Sequence, residues 1–409
     1  MILLAIFLIL VFLFSLVSGR AEKSVVTGPM VFAAAGLLVR FLLPEASTLE
    51  ITSPGVLVIA ELTLVVLLFS AATHTSLRQV TRESKLPARL LGIGMPLAIL
   101  AGTLVAMLLL GDIPLWEAAI LATVLAPTDD NVAPGTVNSQ LVPPRIRQAL
   151  NVESGLNDAV CLPLLVLFIA LSGVRFPGEH SWLAFTARQI GFGLLVGLGL
   201  GWLGGLLMTQ AEGRDWMAGR AIQLAMLALA VLSWWLAEHA LGGNGFIAAF
   251  VAGGALRMRY EDAHQHMTRF DEAWGDLLVY MVFFAFGVIA APELGSITRP
   301  LGGRIWLYGL LGLTIVRMLP VALSFLGTKL HPASVLFVGW FGPRGLASII
   351  LGLFYLEKQT RLSVNSTIVL AMMATVLLSV LAHGISANPA IRLYAGRVAD
   401  LEPSAPEYA

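Results

Sequence analysis

Six ionisable residues, Asp129, Asp130, Glu153, Asp158, Arg317 and Arg344, stand inside otherwise apolar stretches of this chain. Four of them gather in two short motifs. One reads Leu125-Ala126-Pro127-Thr128-Asp129-Asp130-Asn131; the other, Asn151-Val152-Glu153-Ser154-Gly155-Leu156-Asn157-Asp158, opens a segment that is almost wholly apolar from Ala159 to Ser172. Helical spacing puts Ser154 and Asp158 on one face, and Glu153 and Asn157 on a neighbouring one. Carboxylate, hydroxyl and freed backbone carbonyl are hard oxygen ligands, suited to a small hard cation rather than to a soft metal. Burial disfavours the charged form of a carboxylate, so the same acid can hold a proton when no cation is bound. Glu153 reads instead as the partner of a buried arginine in a structural ion pair.

The setting makes these charges expensive. Of 409 residues 57% are hydrophobic and only 12% are charged, about half the charged share of a soluble protein. The apolar residues fall in blocks of roughly twenty, the span of a bilayer core. Each ionisable group at the bilayer centre costs roughly 2.5 to 3.5 kcal/mol, so the six together would cost on the order of 15 to 20 kcal/mol if unanswered. They need partners or a task.

The elements that must position them read as thirteen helices: 2–18, 25–43, 54–73, 88–110, 115–141, 150–172, 183–209, 219–241, 244–258, 274–291, 303–327, 333–356 and 364–387. The first follows no basic leader and is read as a retained span. Two are interrupted. The fifth carries Pro127, Pro134 and Gly135 around its acids, and the twelfth carries Phe341-Gly342-Pro343-Arg344-Gly345 between apolar halves. They cross in opposite directions, and a pair of this kind points to an inverted-repeat secondary transporter with its site at the midplane.

With the N-terminus outside, 16 basic residues fall on inner loops and 7 on outer ones, among them Lys23, Arg78 and Arg82 inside and Arg175, Arg299 and Arg361 outside. This is the bias expected when the C-terminus is cytoplasmic. The balance of 25 basic against 25 acidic residues gives no hint of nucleic acid, and the single Cys161 excludes an internal disulfide. No phosphate-binding Gly-Xaa4-Gly-Lys-Ser/Thr loop is present, so the chain shows no means of using ATP, and nothing in it asks for a cofactor.

At Thr128-Asp129 and Glu153-Ser154-Gly155-Leu156-Asn157-Asp158, with 29 residues from Asp129 to Asp158, the chain resembles the monovalent cation:proton antiporter family 1. This family includes bacterial sodium/proton antiporters and the animal sodium/proton exchangers. Arg317 and the Gly342-Pro343-Arg344-Gly345 turn carry the likeness into the second half. The resemblance implies an all-α polytopic membrane protein of about thirteen spans with inverted repeats, working as a homodimer in a bacterial inner membrane. It implies core helices at about 88–172 and 303–387, scaffold helices at about 2–73 and 183–291, and a short cytoplasmic tail at 388–409.

It also assigns roles. Asp158 would bind cation and proton, helped by Asp129, the Ser154 hydroxyl and the Thr128 carbonyl; Asn157 is the asparagine that precedes that aspartate. Glu153 would pair with Arg317. An Asn-Asp pair goes with electroneutral one-for-one exchange in the family, sodium being the first expectation and potassium the alternative.

Three departures stand out. Asp130 occupies a position that is usually apolar or proline, Ser70 follows Phe69 where an acid is common, and the long tail of the animal exchangers is missing. Arg344 and Asp130 are possible accessories. A cation channel is a more distant reading because no repeated filter motif is seen. An intramembrane aspartyl protease lacks its Gly-Xaa-Gly-Asp signature at Asp158.

Overall fold

A computed structural model describes residues 2–21, 24–44, 54–74, 85–111, 113–172, 181–270, 274–297, 302–358, 367–402 and 405–408. Lys23, Arg78, Arg82, Arg175, Arg299 and Arg361 of the topology count lie outside the described residues. All thirteen expected segments contain helix, and there is no strand among the described residues. Nine helices among those residues are long and apolar enough to cross a bilayer; Gly28–Leu42, Leu115–Val124 and Leu346–Leu356 are shorter apolar helices. The chain is a multi-pass, all-helical membrane protein.

In chain order the helices are α1 (Ile2–Ala21), α2 (Gly28–Leu42), α3 (Pro54–His74), α4 (Lys85–Leu109, with a π-turn at Leu90–Gly94), α5 (Leu115–Val124) and α6 (Pro144–Leu171). Then come α7 (Trp182–Glu212), α8 (Gly219–Trp235) and α9 (Gly245–Arg259), and after a short helix, Ala263–Phe270, α10 (Asp276–Ile297). The last three are α11, in two pieces (Gly302–Leu313 and Ile315–Ser324), α12, also in two (α12a, Pro332–Trp340; α12b, Leu346–Lys358), and α13 (Thr367–Val398).

Several boundaries differ from expectation: α10 runs on to Ile297 rather than 291, and α13 to Val398 rather than 387, so helix continues into the expected tail; two more differ for reasons of proline placement. The fifth segment is not helical to 141. After Val124, Pro127 denies the backbone a donor, and only a 3-10 turn at Asp130–Val132 and one helical turn at Gly135–Asn138 follow. The sixth begins earlier than 150, because Pro144 is well placed in a first helical turn, where a missing N–H costs nothing.

The chain divides into two compact units. Residues 1–57, 85–157 and 279–409 form the first. Its hub is α13, apolar on nearly every face from Ile368 to Val380 and buried accordingly, which packs on α2, α5, α11 and both halves of α12. In the same unit α1 has only Phe7 buried. Its outward Ile2, Leu8, Ile9, Phe12 and Leu16 make a surface suited to lipid.

The second unit takes in 58–84 and 158–278. Here Gly193, Gly197, Gly201 and Gly205, one per helical turn of α7, seat α9. A Cβ at any of the four would meet α9 backbone or side chain at contact distance or closer. Small residues at this spacing let helix backbones approach in an environment without a hydrophobic driving force. Gly191 and Gly199, on other faces, look into open space.

Candidate ion site at two interrupted helices

Both site helices are broken at a proline, and a charged residue from each break answers an exposed helix end at the other. At the end of α5 the carbonyls of Ala126 and Pro127 have no helical donor. Both accept from the Arg344 guanidinium, Pro127 at 3.0 Å. At the start of α12b the Leu346 N–H donates to Asp129 Oδ2 at 2.6 Å, and Asp129 N–H donates to the Pro343 carbonyl at 2.8 Å. A cation thus sits at a helix C-terminus and an anion at a helix N-terminus, each the favourable sign for the helix dipole. Asp129 Oδ1 accepts further from the Asn131 backbone and side-chain nitrogens, at 3.0 and 2.8 Å.

The glycines of the second break make room for this exchange of caps. A Cβ on Gly345 would overlap Asp129 Oδ2, and one on Gly342 would overlap the Arg317 guanidinium. Gly345→Ala is therefore expected to displace the Asp129 cap, a loss of about 1 kcal/mol or more. A lower melting midpoint of the detergent-solubilised protein would register it. An unchanged midpoint would mean that the cap is not held where the backbone places it.

The α6 face completes the arrangement. Asn157, buried, donates through Nδ2 to the Thr128 carbonyl at 3.0 Å and to Thr128 Oγ1 at 2.8 Å, and Ser154 Oγ donates to the same carbonyl at 3.4 Å. Because Nδ2 faces two acceptors, the amide cannot be flipped, and Asn157 fixes where the freed carbonyl of the α5 break points. Asp158 follows on the same helix, one turn beyond Ser154 and half-buried. Glu153 meets Arg317 in a two-pronged pair, Nη1 to Oε1 at 2.5 Å and Nη2 to Oε2 at 2.8 Å, with side chains only 2% and 3% exposed.

Of the residues singled out from sequence, Thr128, Asp129, Asp130, Ser154, Asn157, Glu153, Arg317 and Arg344 come together in the first unit; Asp158 is placed by α6. Arg344 proves to be a helix cap. Sequence reasoning missed Ser379 and His383. In the hydrogen-bond arrangement that satisfies both, His383 Nε2–H donates to the Trp340 carbonyl at 2.9 Å, capping α12a. Its Nδ1 accepts from Ser379 at 3.1 Å, and Ser379 accepts the Arg344 N–H at 2.6 Å. The available signal was two polar residues four apart in an apolar helix, hence on one face.

An all-helical membrane bundle in which two discontinuous helices meet break to break is an architecture of transporters whose sites lie at the freed backbone. The profile of the sodium/hydrogen exchanger transmembrane family matches residues 3–393, and the chain belongs to that family. It is 29% identical over 251 residues to the Na(+)/H(+) antiporter 2 of Zygosaccharomyces rouxii, covering 58% of this chain and 30% of that one. It is 24% identical over 248 residues to the K(+)/H(+) antiporter NhaP2 of Shewanella sp. strain MR-4, covering 59% and 42%. The chain thus spans less than half the length of these curated relatives. The fold is that of the sodium proton antiporter MjNhaP1 from Methanocaldococcus jannaschii, with a TM-score of 0.73, 18% identity, and coverage of 94% of this chain and 99% of that one.

Proposed function

We propose that this protein exchanges a monovalent cation, sodium first, for protons across a membrane, as a secondary antiporter without cofactor. What carries the reading is the convergence of the Ser154 hydroxyl and the Asn157 amide on the freed Thr128 carbonyl, with Asp158 next on the same helix. The Thr128 carbonyl and the Ser154 hydroxyl are hard oxygen ligands, and the Asn157 amide orients the carbonyl. Asp158 binds the cation from one side with help from Thr128, Ser154 and Asp129, the core moves, and a proton replaces the cation from the other side.

In this reading residues of about 88–172 and 303–387 form the moving core and those of about 2–73 and 183–291 the scaffold of a homodimer. The protein lies in a bacterial inner membrane with the N-terminus outside and the C-terminus in the cytoplasm. A single exchanging carboxylate gives one proton for one cation. Potassium is the second reading, favoured by the likeness to a potassium/proton antiporter. Proteoliposomes holding a pH-sensitive dye test both. Sodium, and lithium to a lesser extent, should dissipate an imposed proton gradient. A response to potassium above that to sodium would exchange the two readings, and no response to any of the three would end the antiport proposal.

A further inference from the structure

Beyond α13 the chain turns back, and residues 405–408 lie against the start of α12a. Glu407 is only 1% exposed there. Its Oε1 accepts the His331 N–H at 2.7 Å and the Ser334 hydroxyl at 2.8 Å. With its one proton committed to Glu407, Ser334 Oγ accepts from the Tyr394 O–H at 2.9 Å. One residue earlier, the Pro406 carbonyl accepts from Arg145 Nη1 at 2.6 Å. Segment 405–408 thus ties α12a to Arg145 at the start of α6 and to Tyr394 near the end of α13, and Phe337 of α12a stacks on the Tyr394 ring at 4.3 Å.

α12a has nine residues, too few to hold a helix by its own hydrogen bonds, so its ends decide where it lies. Its cap residue, His331, accepts the Ala333 N–H through Nδ1 at 3.2 Å. In a capping box a glutamate at the third helical position answers the backbone N–H of the cap. Here that position is Ser334, whose side chain is shorter, and the carboxylate comes from Glu407 instead, the favourable charge for a helix N-terminus. The turn before it carries Lys329 at φ 61°, a left-handed conformation that persists only where surrounding contacts hold it. At its other end α12a is capped by His383, and the break that follows puts Arg344 on the freed carbonyls of α5. Arg145, His331, Ser334, Tyr394 and Glu407 all belong to the first unit.

We propose that Glu407 is a positioning residue for the ion site: by capping α12a and tying it to α6 and α13, it fixes the break of α12 against that of α5. This rests on the antiport reading above. Glu407 acts through α12a, not on the ion. Because its ties join helices of one unit, losing them loosens the geometry within that unit. Cation affinity should therefore weaken, while the maximal rate, which a brake on transport would hold down, should not rise.

The test is cation-driven proton flux in proteoliposomes of the full chain, measured over a range of sodium concentrations. In Glu407→Ala the half-saturating concentration should rise by roughly three- to tenfold at a maximal rate no higher than the parent's. Glu407→Gln, which keeps the accepting oxygen, should stay within about twofold of the parent. Docking is read without transport: hydrogen exchange of the His331 amide in the solubilised chain should quicken by roughly tenfold in Glu407→Ala. If that variant does not fold, Arg145→Met, which removes the tie from α6, must shift half-saturation in the same direction. A parental half-saturation or a raised maximal rate in the folded variant overturns the positioning role and leaves antiport standing. Unchanged exchange at His331 overturns the docking itself. No flux with sodium, lithium or potassium in wild type overturns antiport and the positioning role together.

Discussion

With Asp158 changed to asparagine, sodium-driven proton flux in proteoliposomes is expected to fall by roughly a hundredfold or more. The amide keeps the volume of the side chain but offers neither a negative charge to the cation nor a proton to exchange. Its neighbours on α6 should not notice. The Asn157 bonds to Thr128 and the Glu153 pair with Arg317 are made by other faces of the helix, so the variant should be recovered in the membrane with a near-parental melting midpoint. That combination separates loss of transport from loss of fold. Full-rate exchange by Asp158→Asn would remove Asp158 from the site, and a collapsed yield would make it a structural residue instead.

The second large effect concerns stability. Glu153→Gln leaves the buried Arg317 guanidinium without its counter-charge, and breaking one side of a buried pair costs about 3 to 5 kcal/mol. Native proteins are stable by only about 5 to 15 kcal/mol, so the variant should be poorly recovered and melt well below its parent. Replacing both partners by apolar residues of similar volume, Glu153→Leu with Arg317→Met, should restore much of the loss, because desolvation of two charges is then no longer required. Should the single variant melt like its parent, Glu153 and Arg317 would not be structural partners, and Glu153 would become available for ion handling.

Much of the fold was readable from the chain because a bilayer imposes length and apolarity on every span. α6, α7 and α13 stand out by these two properties alone. The breaks in α5 and α12 were readable too, since Pro127 and Pro343 cannot continue a helix in their settings. Glu153 with Arg317 was expected and is present at hydrogen-bond distance.

Other features could not be read locally because their cause lies elsewhere in the chain. Nothing near Arg344 says that it caps α5, more than two hundred residues away in sequence. The need for glycine at 342 and 345 appears only once Arg317 and Asp129 are seen against them. The interruption of α11 at Thr314, one turn before Arg317, was not anticipated either. That α9 occupies the glycine face of α7 is likewise not identifiable from composition.

The reciprocal capping of the two breaks also bears on how the protein is made. Asp129 and Leu346 are 217 residues apart. At roughly 5 to 20 residues per second of synthesis, the α5 break waits about 10 to 40 s for the backbone and guanidinium that complete it. During that interval the carbonyls of Ala126 and Pro127 and Oδ2 of Asp129 lack their native partners. Bare polar backbone is not tolerated in lipid, so the first half of the chain must be sheltered at the insertion machinery until the second arrives. Closure of the two breaks is then a late step, completed only once Leu346 has been made.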